Sequence, residues 1–400
     1  MRIRLSFIKH MLWAVVWLIC LICCIEVGLR VHTFLADKPI SENAEIERVA
    51  CHQVHHHLKP LEQVEFQHPD TGHQFSERLN SFGLRGPEPS LDKSSDVIRI
   101  LCLGDEMTFG PGLTSQELFS SQLQGLLKDY LPKKLEVINA GVPGYCPLLS
   151  LLQYRHRLRA LNPDVIVLTF EMGDVADDYL VRGFTSHDEN GIPLGCRNPL
   201  LGNESELKKI QNHFVTMKWL KAQSEHWRTE STFDSLDQID HPVGRYAWIR
   251  DNPVDWGPYL QNALKPIKKL GLLGREQGAL VVFSVLPAPW QISSEATSDP
   301  ATRKKYGVAP GVVYSNREPF QKLATFAEES GLAFLDNSND FAELGNPEEL
   351  YLQTEPWLSA RGQEVYATLL ARYLFPRLQY RFQPQPPANH ILPAGGVQPQ

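Results

Sequence analysis

The chain has 400 residues, of which 42% are hydrophobic and 21% charged, and its formal net charge is −7. Those proportions belong to an ordinary globular protein rather than a disordered one, and with no basic stripe anywhere, nucleic acid is excluded as an expected partner. The seven cysteines give no readable disulfide framework and no zinc pair: Cys20, Cys23 and Cys24 lie in an N-terminal apolar segment, while Cys51, Cys102, Cys146 and Cys196 are scattered.

At the N-terminus, Arg2, Arg4 and Lys9 precede an uninterrupted apolar run over residues 11–25. With Val27 and Leu29 it approaches the ~20 residues that span a bilayer. Glu26 sits close enough to one end to reach the interface, and Arg30 closes the run. A cleaved signal peptide usually has ~7–15 apolar residues and a small-residue site after them, and no Ala-X-Ala follows Ile25. Residues 1–31 are therefore expected to be a retained single-pass transmembrane anchor. The basic flank puts the N-terminus in the cytoplasm and the rest outside it, in the periplasm if the source is bacterial. Residues 32–79 are polar. They carry His52, His55, His56 and His57 without partners at zinc-site spacing, and read as a solvated linker.

From residue 80 to 380 strands and helices alternate. Short apolar runs at 97–103, 135–139, 165–170, 279–286 and 332–335 read as buried strands. Helical patterns at 116–131, 149–161, 259–277, 319–330 and 359–374 separate or follow them. Such alternation implies an α/β domain: three α/β/α layers around a mostly parallel sheet of about five strands, flavodoxin-like in kind. Cys102, inside the first strand, is read as a small buried hydrophobe. Residues 182–256 interrupt the alternation as an insertion. Within it Leu207, Ile210, Phe214, Met217 and Leu220 form one helical stripe, either a packing face or a lid or partner-docking surface. Residues 381–400 are rich in Pro and Gln and read as a disordered tail.

The turns that follow the first, second and third strands, and the last loop, fall at the carboxyl edge of the sheet, where open α/β sheets bind ligands. Their sequences are distinctive. The first is Leu103-Gly104-Asp105-Glu106-Met107-Thr108-Phe109-Gly110, preceded by Asn80-Ser81-Phe82-Gly83-Leu84-Arg85-Gly86. The second ends in Ala140-Gly141-Val142-Pro143-Gly144-Tyr145. The third runs from Asn162 through Glu171-Met172-Gly173-Asp174. The last is Thr354-Glu355-Pro356-Trp357-Leu358-Ser359-Ala360-Arg361-Gly362. In this order they resemble the blocks of the SGNH/GDSL hydrolase (lipase/esterase) superfamily, in its membrane-anchored extracytoplasmic form, over about residues 80–377.

The resemblance implies ester hydrolysis or acyl transfer by a serine, a histidine and an acid, with backbone and asparagine donors for the oxyanion. The equivalent catalytic positions here are Glu106 for the serine, Gly144 for a backbone donor, Gly173 for the asparagine, Glu355 (or Thr354) for the acid and Trp357 for the histidine. Loss of one oxyanion donor typically costs ~10²–10³ in rate. Loss of the nucleophile costs on the order of 10⁶, and an indole nitrogen donates only, so it cannot act as a base. The expected protein is thus a pseudoenzyme, a binding or scaffold domain. Its cleft would be formed by Asp105, Glu106, Gly144, Tyr145, Asp174 and Trp357, without metal or cofactor. An envelope glycan or acylated saccharide is the expected ligand class, and a protein partner is left unspecified. The alternative is an active esterase or other hydrolase with a relocated or carboxylate-based site, for which His187 and His241 are the candidate bases. Asp105 and Asp174 also suit a bland role, because helix N-termini favour acidic side chains by about 0.3–1 kcal/mol.

Overall fold

The structure is a computed structural model in which residues 13, 16, 17, 20, 21, 24–28, 46, 48–201, 244–250, 253 and 255–382 are described. Two antiparallel ribbons come first: β1 (Arg48–Ala50) with β2 (His56–Leu58), then β3 (Gln63–Gln67) with β4 (Gln74–Arg78). The α/β domain follows with β5 (Val97–Gly104), α1 (Glu106–Phe109), α2 (Phe119–Leu127), β6 (Lys134–Gly141), α3 (Pro147–Gln153), β7 (Val165–Phe170) and α4 (Asp174–Arg182). A small hairpin, β8 (Thr185–His187) and β9 (Pro193–Cys196), leads away from α4. After the insertion come α5 (Gly257–Glu276), β10 (Leu280–Val285), α6 (Pro300–Lys305), α7 (Glu318–Glu329), β11 (Ala333–Asp336), α8 (Ser338–Ala342) and α9 (Ala360–Phe382).

The central sheet has the order β11-β10-β7-β5-β6, and every pairing in it is parallel. The near-continuous apolar strands explain this arrangement, since a parallel sheet is covered on both faces. Alternate residues of β5 point to opposite cores. Leu101 and Leu103 join Ile166 and Leu168 beneath α3, α5 and α7. Ile100 and Cys102 join Val165 and Val167 against α2 and α9. Three layers around five strands are what the sequence pattern implied. The chain passes from β5 to β6 on one side and crosses back to β7 on the other. The switch point, and with it the crevice for a ligand, therefore lies between the carboxyl ends of β5 and β7.

Some helix limits differ from the pattern. The helix expected over 149–161 is α-helical only to Gln153, and continues as a π-helical turn (Tyr154–Leu158) and a 3₁₀ turn (Arg159–Leu161). Asn162, in the left-handed conformation at φ 49°, closes it. The last helix extends past 374 to Phe382 despite Pro376, because Leu378 is buried in the α2/α9 core.

The polar segment 32–79 is not a solvated linker where it is described. Val54, Leu58, Val64, Phe66 and Leu79 are buried in one apolar cluster with Phe109, Tyr145, Leu148 and Leu149. His55 and His56 are buried as well. The short alternation of β3, with Val64 and Phe66 inward and Gln63, Glu65 and Gln67 outward, supplies that buried face. The insertion contributes to the main core too, through Tyr246, Trp248, Ile249 and Trp256. The apolar stripe over residues 207–220 and the tail beyond 382 lie outside the described residues. So does most of the expected anchor. Among the described residues no helix is long and apolar enough to cross a membrane.

Arg85 fastens the ribbons to the domain. Its guanidinium donates to the carbonyls of Phe109 (3.2 Å), Gly110 (2.8 Å) and Leu113 (2.6 Å). The same group pairs with Glu77 of β4 at 2.6 Å and stacks 4.5 Å above the Phe66 ring. Glu77 in turn accepts from Ser115 N and Oγ, each at 2.6 Å. Burial opposes ionisation of Glu77, but Arg85 and Ser115 outweigh it and hold the carboxyl below the usual range. Arg85→Met should therefore lower the unfolding free energy by about 3–5 kcal/mol, the usual cost of breaking a buried ion pair from one side. Urea titration of the two proteins measures it, and a change under about 1 kcal/mol would contradict this role.

Candidate functional site

The crevice is built by the turns that leave β5, β6 and β7. Asp105 caps α1: its Oδ1 accepts from Met107 N at 3.0 Å. Glu106, next in line, does not point into open space. Its Oε1 accepts the backbone N–H of Gly144 at 2.9 Å. Gly144 is in the left-handed region at φ +76°, a conformation that glycine adopts without strain and that turns its amide toward the turn after β5. The backbone donor that the resemblance assigns to an oxyanion is thus engaged by a carboxylate of the chain itself.

The third turn carries a denser charge network. Asp105, Glu171 and Asp174 are all buried, and one carboxylate oxygen from each lies within 4.8 Å of the others. Asp174 Oδ2 accepts from Glu171 N at 3.1 Å. Burial and mutual repulsion push the Asp105 and Asp174 carboxyls well above the usual range, and Glu171 is raised by burial despite Arg245. Three such oxygens could face one cation, and Arg245 pairs with one of them, Glu171. Its guanidinium forks onto Asp177, at 3.0 and 2.8 Å, and lies 3.6 Å from Glu171 Oε1. Bidentate geometry of this kind makes a strong pair.

This network accounts for Gly173. A Cβ built there would sit 2.0 Å from Glu171 Oε1 and 2.8 Å from Arg245 Nε. An asparagine at 173, as the resemblance would have it, cannot enter until the Glu171–Arg245 pair has moved. The position is not an emptied donor but ground taken by an ion pair.

The last loop is held from the N-terminal side. Asp70, in the turn between β3 and β4, accepts from Gln353 N (2.8 Å), Thr354 N (3.0 Å) and Thr354 Oγ1 (2.7 Å). Glu355 and Trp357 are both half-buried, and their carbonyls take bonds from Thr297 Oγ1 and Leu352 N respectively. The indole of Trp357 belongs to none of the three apolar clusters among the described residues. His187 is exposed on β8, and His241 lies outside the described residues.

Instead, other histidines reach the crevice. A Cβ on Gly144 would lie 3.4 Å from Arg48 Nη1 and 3.9 Å from His56 Cε1. Tyr145 OH donates to the His56 carbonyl at 2.7 Å. His56 Nε2 is 2.9 Å from the Pro143 carbonyl, so that nitrogen carries the proton. Its Nδ1 then accepts from His55 Nδ1, also at 2.9 Å, which leaves the buried His55 Nε2 as a lone pair. The turn residues Pro69-Asp70-Thr71-Gly72 between two alternating stretches were the available signal for the neighbouring β3–β4 ribbon. Nothing in the sequence marks Arg245.

Burial, and then the Arg48 charge, hold His55 down to about 4 and His56 to about 3. These values lie below the ordinary 6.5, so in acid the unfolded chain binds protons that the folded one refuses. The stabilisation is complete above pH 6.5 and is lost as pH falls toward 4, at roughly 1.4 kcal/mol per pH unit for each ring. Between pH 6.5 and 5, urea midpoints of the wild type should therefore fall more steeply than those of a His55→Gln/His56→Gln variant. Equal slopes would show that the rings accept protons in place.

No family model matches the chain, and no curated protein matches it in sequence. Among solved structures it is similar to a lipase/acylhydrolase from Enterococcus faecalis, at 13% identity over 72% of this chain and 99% of that one, with a TM-score of 0.38. An acetylxylan esterase from Geobacillus stearothermophilus is similar at 14% identity, over 69% and 94% of the two chains, with a TM-score of 0.36. A GDSL-like lipase from Bacteroides thetaiotaomicron is similar at 12% identity, over 72% and 92%, with a TM-score of 0.35. Likenesses this distant say nothing of chemistry, and the α/β/α architecture rests on the strand order itself.

Proposed function

We propose that this chain is a membrane-tethered, extracytoplasmic protein with an ester-hydrolase type of fold whose own acyl-transfer centre is closed, and that it serves as a binding or scaffold domain. The observation that carries this reading is the bond from Gly144 N–H to Glu106 Oε1. An oxyanion forming at the switch point would have to displace a resident carboxylate. The Glu171–Arg245 pair supports the same reading, since it fills the place of a side-chain donor at 173. The ligand class that suits such a crevice is an envelope glycan or an acylated saccharide, whose hydroxyls can donate to the acidic groups there. A carboxylate-based hydrolase is the competing reading, because Glu106 is only half-buried.

Hydrolysis of p-nitrophenyl acetate separates the two. The purified protein should be no faster than its Glu106→Ala variant. A clear rate that depends on Glu106 would overturn the closed-site reading and favour carboxylate chemistry. The tether is tested apart from the site: the protein should stay with membranes through alkaline carbonate extraction. A soluble mature form that starts after residue 31 would remove the anchor and leave the rest intact.

A further inference from the structure

We propose that Asp105, Glu171 and Asp174 hold a shared proton that ties the turn after β5 to the turn after β7. The geometry leaves few other ways to stabilise the cluster. The three side chains are almost wholly buried, and their oxygens lie within 4.8 Å of one another. In so dry a place like charges at this separation cannot all ionise without compensation.

The compensation available is limited. Every element packed around the cluster contributes acids or neutral groups, with Arg245 the cation bonded to it. From the first turn comes Glu106, engaged with Gly144. From α4 come Asp177, which takes both arms of the Arg245 fork, and Asp178, which is paired with Arg182. Arg245 is thus divided between Asp177 and Glu171. The phenols of Tyr246, Tyr306 and Tyr351 and the Cys146 thiol are all pushed up by burial, so they remain neutral.

The hydrogen bonds point the same way. Met107 N and Glu171 N satisfy one oxygen each on Asp105 and Asp174. Glu171 Oε2 and Asp174 Oδ1 are buried and have no hydrogen-bond donor. A buried acceptor without a donor is costly, and a proton on one carboxyl supplies the missing donor. The upward shift of all three groups agrees.

The sign of the effect follows. The folded state keeps a proton that the unfolded chain releases above pH ~4. Stability from the cluster is complete below that value and is lost as pH rises through the folded titration. The two buried histidines act only below 6.5, and the buried thiols of Cys102, Cys146 and Cys196, which burial pushes up, act only above about pH 8, so the window between isolates the cluster. The shared proton needs no ligand in the crevice.

Two measurements on the full chain test it. The thermal midpoint of the wild type should fall between pH 6.5 and 8. Asp174→Asn, neutral at every pH, should flatten that fall and match or exceed the wild type at pH 8. An equal loss at every pH, with the slope unchanged, would overturn the proposal. Infrared spectroscopy of the wild type gives a readout that needs no variant to fold. A protonated-carboxyl band should persist at pH 7 and vanish on further titration with base. Its absence at pH 7 would refute a shared proton.

Discussion

Buried negative charge at the carboxyl edge of the sheet is the constraint around which this molecule is arranged. The parallel strand order makes a switch point between β5 and β7, and the turns on either side of it carry Asp105 and Glu106, then Glu171 and Asp174. Acidic groups gain from helix N-termini, but only by fractions of what burial costs them. The balance has to come from elements outside the sheet. Arg245 reaches in from the end of the insertion, and Gly144 offers a backbone amide from the neighbouring turn. A side chain at Gly173 would displace the ends of the Glu171–Arg245 pair. The same balance engages the Gly144 amide, the backbone donor that the resemblance assigns to an oxyanion.

Much of the architecture could be read from residue pattern. The runs that became β5, β7 and β10 are nearly continuous in apolar residues, which is how a strand covered on both faces looks. The turn positions Glu106 and Gly144 could also be named, because each sits just beyond such a run. What the pattern could not give is the contact between them, which depends on how two turns approach across the sheet edge. α4 went unseen since Asp174, Asp177 and Asp178 crowd one short stretch and make it look like polar loop. Two of those acids, Asp174 and Asp178, are nonetheless buried; Glu171 N donates to the first and Arg182 pairs with the second.

The segment before the domain shows the limit from the other side. Histidines and glutamines between residues 52 and 67 give it the composition of a linker. Leu61 is exposed, but Val54, Leu58, Val64 and Phe66 are inward, and a short ribbon needs no more than that to dock. Arg85 adds a polar reason for docking, since it donates to the carbonyls of Phe109 and Gly110 at the end of α1. Local composition records how much of a segment is polar, whereas docking depends on where its few apolar groups point.

The Asp70 clasp gives the chain a particular order of assembly. It joins the second ribbon to a loop 283 residues further on, so the first part of the domain to leave the ribosome meets its partner almost last. Closing so long a loop has an entropic cost that grows only slowly with length, but contacts of this range slow folding. Until the loop at 353–354 arrives, the ribbon is held by the cluster around Phe109, the Arg85 fork and Ser115. A nascent protein halted before residue 353 would therefore carry a finished switch point with the Asp70 clasp still unmade.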